Sequence, residues 1–86
     1  MTLHPIKSIN DVYAFTDVVI KAARREGRSD IASQFESALA AGSSLLEILG
    51  RIRTAVLDNK SDVCRYSNRS EADEVVAFVE RAYGMR

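Results

Sequence analysis

The sequence predicts an all-α fold, a compact array of four helices over residues 8–26, 29–41, 44–58 and 70–83 with a polar loop at 59–69. Three observations predict it. Apolar residues recur at the i, i+3, i+4, i+7 spacing of a helix face. Capping residues precede each periodic segment, and glycines at 27, 42 and 84 close three of them. The β-branched residues come in pairs, Val18-Val19 and Val75-Val76, rather than alternating with polar ones as strands require.

Residues 1–7 form an N-terminal tail holding the only proline, Pro5, and residues 8–86 form one helical domain. Ser8 with Asp11 three residues on is a capping-box variant opening the first helix, which stops at Gly27. Lys21, Arg24 and Arg25 near its end complement the negative helix terminus. Ser29 or Asp30 caps the second helix. Ser44-Leu45-Leu46-Glu47 is a full S-x-x-E box for the third. Residues 59–69, NKSDVCRYSNR, show no period and read as loop, with room for one helical turn. Ser70 with Asp73 caps the fourth helix.

At about 100° per residue, four apolar stripes emerge. They are Ile9, Val12, Thr16, Val19, Ile20 and Ala23; Ile31, Phe35, Ala38 and Leu39; Leu45, Ile48, Leu49, Ile52 and Val56; and Ala72, Val75, Val76, Val79 and Tyr83. Facing one another, they build an ordinary helical core. A surplus lies beside them: Phe15, Val18 and Ala22 on the first helix, Leu46 and Leu57 on the third, Phe78 on the fourth. Each large apolar side chain left in water forgoes about 1.5–3 kcal/mol of burial. The surplus therefore either completes the core or packs on another molecule.

Composition excludes more than it assigns. Twelve Lys and Arg balance twelve Asp and Glu, without the basic excess usual in proteins that live on nucleic acid. One cysteine, Cys64, and one histidine, His4, sixty positions apart, form neither a disulfide nor a zinc cluster. No basic start is followed by an apolar run, and no stretch approaches the ~18 apolar residues of a membrane span. The expectation is a cytoplasmic protein with no cofactor and no metal.

The chemistry-bearing candidates are weak beside their structural alternatives. Ala38, Gly42 and Ile48 carry the spacing of a helix-turn-helix, whose exposed positions would be Ser44, Leu45, Leu46, Leu49 and Arg53. Three leucines read no base edges, and Arg51 falls where an apolar residue is wanted. Lys21, Arg24, Arg25 and Arg28 sketch a basic patch, interrupted by Glu26. Glu71, Asp73 and Glu74 sit where a helix start favours carboxylates. Cys64 would need a histidine base to act as nucleophile, and only His4 is on offer. Gly50, inside the third helix, costs about 1 kcal/mol relative to alanine, and either admits another helix closely or is simply tolerated.

The stretch from Ile31 to Leu49, with Phe35, Ala38, Gly42-Ser43-Ser44, Glu47 and Leu49 and an arginine at 51 or 53, resembles the helix–Gly-Ser–helix core of short bacterial helical proteins of unassigned function. That resemblance covers residues 31–53, implies the helical fold and a bacterial setting, and carries no catalytic residue over.

The expected function is non-enzymatic association with a protein, either a partner or a second copy, in the manner of a small immunity, antitoxin or regulatory-adaptor protein. A helix-turn-helix-like DNA-binding regulator is the alternative. The residues expected at the interface are Phe15, Val18, Leu46 and Phe78 from the surplus, with Arg65, Tyr66 and Arg69 as a polar rim.

Overall fold

The computed structural model describes residues 6–40 and 44–84, with only the backbone of Arg69. Five helices occur in the order α1 (Ile9–Arg25), α2 (Ser29–Ala40), α3 (Leu45–Asp58), α4 (Lys60–Tyr66) and α5 (Arg69–Tyr83), and no strand is present among the described residues. They close a ring: α1 packs on α2, α2 on α3, α3 on α5, α5 on α4, and α4 back on α1.

The fifth helix is the main departure from the sequence reading, since α4 occupies the expected loop at 59–69. Its seven residues are too few to display a period, and a helix that short is held by tertiary contacts rather than by propensity. Val63 is wholly buried, Cys64 and Tyr66 pack against the core edge, and Asp62 and Arg65 sit in the first and last turns. Asn59 is the joint. Its backbone N–H still bonds the Ala55 carbonyl of α3, while its own carbonyl accepts from Val63 of α4. Its side-chain amide donates to Ala55 and to Gln34, both at 2.9 Å, so it ties the joint to α2 instead of capping α4.

The other ends follow local rules. The Asp11 carboxylate accepts from the Ser8 and Lys7 backbone N–H groups, at 3.1 and 2.9 Å. At the far end of α1, Arg28 N–H bonds the Ala23 carbonyl and Gly27 N–H bonds that of Arg24, with Gly27 at φ +76°. This is a Schellman closure, and its left-handed residue is why glycine stands there. Ser44 caps α3 through the Glu47 N–H, as expected. Helix α5 starts earlier than the sequence indicated: Asn68, not Ser70, is the cap, accepting from Glu71 N–H at 2.8 Å and donating to its carboxylate at 3.2 Å. Two overlapping boxes compete there, and the Asn68 box starts the helix one residue sooner, at Arg69, ahead of the fully buried Ala72.

The core takes in more than the four stripes. Val12, Thr16, Val19 and Ala23 are buried as expected, and so are Phe15 and Ala22 from the supposed surplus. The Thr16 hydroxyl is satisfied by donating to the Val12 carbonyl at 2.8 Å. Phe35, Ile31, Ile52, Val56, Val75 and Val79 fill the centre. Ile6, expected in the tail, is buried as well, and its backbone N–H donates to the Glu74 carboxylate of α5 at 2.9 Å. Two stripe members point the other way. Leu45 and Tyr83 lie at helix ends past the core's edge and are 51% and 42% exposed.

Gly50 finds its partner inside the chain. A methyl group built there would lie 2.5 Å from the Tyr83 hydroxyl, which donates to the Leu46 carbonyl. The glycine thus seats the last turn of α5 on α3.

Candidate functional site

The residues expected at an interface separate into three groups. Val18 and Leu46 are exposed, at 49% and 46%. Phe15 is only 5% exposed and belongs to the core, and Phe78 is a partly buried side chain packed against it, so neither presents itself outward. The reason is a wider buried arc than a single stripe allows: α1 is covered by α2 on one side and α4 on the other. Of Arg69 the side chain lies outside the described atoms.

Arg65 and Tyr66 form a structural latch. The Arg65 guanidinium donates to Glu26 at 2.9 Å and to Asp62 at 2.6 Å, and lies 5.3 Å from the Tyr66 ring centroid. Arg28 joins the group, bonding Asp30 at 3.1 Å and reaching Asp62 at 3.4 Å. The hydrogen bonds that Arg65 donates to Asp62 and then to Glu26 hold it above its ordinary pKa, and the hydrogen bond from Arg28 holds the Asp30 carboxyl below its own. The latch clamps α4 onto the α1–α2 corner. The Tyr66 hydroxyl is buried without a hydrogen-bond partner among the described residues. Sequence spacing missed this cluster because its members lie up to 39 positions apart.

The basic patch is largely neutralised. Lys21 pairs with Asp17 at 3.0 Å and Arg24 with Glu36. Of the acidic trio, Glu71 completes the cap of α5, Asp73 pairs with Lys60 at 2.7 Å, and Glu74 holds the Ile6 backbone. Among the described residues no group of three or more His, Cys, Asp or Glu is placed to hold a metal ion. Cys64 is a free, partly buried thiol on α4, while His4 lies outside the described residues.

The helix-turn-helix positions scatter. Gly42 lies outside the described residues, Leu49 is buried, Ser44 is spent on its cap, and Arg53 forks onto Glu80 at 2.9 and 3.1 Å. What α3 leaves outward at its start is Leu45, Leu46 and Glu47.

The outer face of α1 carries the feature with the shape of a contact. Beside the exposed Val18 opens a cleft of about 190 Å³ lined by Ile6, Ala14, Phe15, Val18 and Ser67, with Asp11 and Glu71 on its rim. Its floor is the edge of Phe15, so the side chain that the core took back still shapes the surface. Ala14, exposed and small, forms one lip. The lining thus combines apolar side chains with the Ser67 hydroxyl and the carboxylates of Asp11 and Glu71. No helix of the described chain is long and apolar enough to cross a membrane. Compared with protein-family models, with curated proteins and with solved structures, the chain matches none.

Proposed function

We propose that the chain acts by binding a protein through the outer face of α1, as a non-enzymatic accessory protein of the immunity, antitoxin or regulatory-adaptor kind. One observation carries this reading: Val18 stands half exposed beside an apolar cleft of about 190 Å³ with an acidic rim. A cleft that opens onto an exposed aliphatic side chain provides both a socket and a knob, the elements of an interface core, and the charges around it supply a rim. The exposed start of α3 favours protein over DNA in the same way, since Leu45, Leu46 and Glu47 suit neither phosphates nor base edges.

Native mass spectrometry of the tagged chain, purified from cells that make it, tests the reading. Added mass on the wild-type chain, lost in Val18→Asp while the helical circular-dichroism signal is kept, is the expected result. A bare chain in both samples overturns it.

A further inference from the structure

We infer that α4 is a flap, a segment that opens and closes as a unit while the other helices stay folded. It is weighted toward opening by the buried Tyr66 hydroxyl and held shut by charge pairs at the surface.

The two flanks of the segment are tied down without it. On one side Asn59 belongs to α3 through its backbone N–H, bonded to Ala55, and to α2 through its side chain, bonded to Gln34. On the other side Asn68 caps α5 through the Glu71 N–H. None of these bonds uses an atom of residues 60–66, so α4 can leave while both neighbours keep their ends. The bonds that join α4 to its flanks are local ones. The Val63 N–H donates to the Asn59 carbonyl at 2.9 Å, and the Ser67 N–H and hydroxyl donate to the Val63 carbonyl, each at 3.0 Å. Seven residues without a side-chain cap have little helical stability of their own.

What closes the flap is one wholly buried side chain, Val63, the partly buried Cys64 and Tyr66, and a set of ion pairs to other helices. Lys60 pairs with Asp73 at 2.7 Å, Arg65 with Glu26 at 2.9 Å, and Asp62 with Arg28 at 3.4 Å. These side chains are 27% to 55% exposed, so dissolved salt reaches and weakens each pair. The Arg65–Asp62 pair lies within α4 and travels with it. Against closure stands the Tyr66 hydroxyl, buried without a hydrogen-bond partner among the described residues. On closing it gives up water and gains no bond in exchange, a cost that the open state does not carry. Opening therefore turns Val63 and Cys64 to water and gives the Tyr66 hydroxyl its hydrogen bonds back. The inference does not depend on what α1 binds.

The test is native-state amide hydrogen exchange of the purified full-length chain, followed residue by residue by NMR. The amides of Val63 to Ser67 should exchange faster than those of Ile52 to Val56 in α3, and urea below about 1 M should hardly change their rate while it speeds those of α3. Raising salt from about 20 to about 500 mM should speed exchange in α4 several-fold. Tyr66→Phe keeps the ring and removes the hydroxyl, and should slow exchange in α4 by about tenfold. If α4 exchanges with the rate and the urea dependence of α3, residues 60–66 open only when the whole chain unfolds, and the flap is overturned. An α4 rate that salt does not raise, or that Tyr66→Phe does not slow, overturns the balance proposed to control it.

Discussion

Helices α3 and α4 meet at Asn59 and are held by different means. Helix α3 has a capped start, a buried stripe of Leu49, Ile52 and Val56, and fourteen residues over which that period repeats. Helix α4 has seven residues, no side-chain cap, and one fully buried side chain, Val63. Helix α3 would read as a helix in almost any surroundings. Helix α4 exists because the Glu26–Arg28 corner and the Asn59 joint hold it. A short polar segment becomes helical when its neighbours satisfy its charges and cover one apolar residue.

The largest effects should come from the two buried anchors. Ile52→Ala on α3 is expected to lower the unfolding free energy in urea by about 2–5 kcal/mol. Val63→Ala on α4 should cost about 1–3 kcal/mol in the same assay, because Val63 is as fully buried as Ile52 although its helix is half as long. An unchanged urea midpoint in Val63→Ala would show α4 to be a decoration on the fold, not a wall of it.

Next in size is the side-chain cap that α3 has and α4 lacks. Ser44→Ala removes the acceptor of the Glu47 N–H and should cost about 1 kcal/mol, while Ser61→Ala in the first turn of α4 should leave the thermal midpoint in place. Equal losses in the two variants would erase this difference between the helices.

Gly50 sharpens the comparison from within α3. By helix propensity alone Gly50→Ala should stabilise by about 1 kcal/mol. The Tyr83 hydroxyl occupies the space, so the gain should appear in full only in a Tyr83→Ala background. A double-mutant cycle in urea reads the coupling, and strict additivity would refute the seat.

The smallest effect concerns the latch. Arg65→Ala breaks contacts to Glu26 and Asp62 that are open to solvent, so the urea midpoint of the whole chain should hardly move. Its signature is local: faster amide hydrogen exchange in α4 than in α3, an effect that added salt mimics in the wild-type chain. Uniform acceleration across both helices would mean that the latch serves the whole fold.

For the candidate surface, Val18 and Leu46, which periodicity sets beside the main stripes as either core or contact residues, are exposed in the folded chain. Periodicity misplaced Phe15, which sits only one residue beyond the stripe and is reached by flanking helices that periodicity does not see. The cleft itself was not legible. It joins Ile6 and Ala14 to Ser67 and Glu71, residues more than fifty positions apart.

By itself the sequence determined the helical class, the bounds of α1 and α3 to within a residue, the Ser44 cap, the glycine closures at 27 and 84, and most of the core. These depend on hydrogen bonds and side-chain spacings within a few residues, which the order of amino acids encodes directly. Only the tertiary structure decided that residues 60–66 are helical, that Ile6 leaves the tail for the core, and that Gly50 receives Tyr83. Each of those outcomes is set by a contact between segments far apart in the chain, where local preferences are nearly balanced and burial or charge pairing tips them.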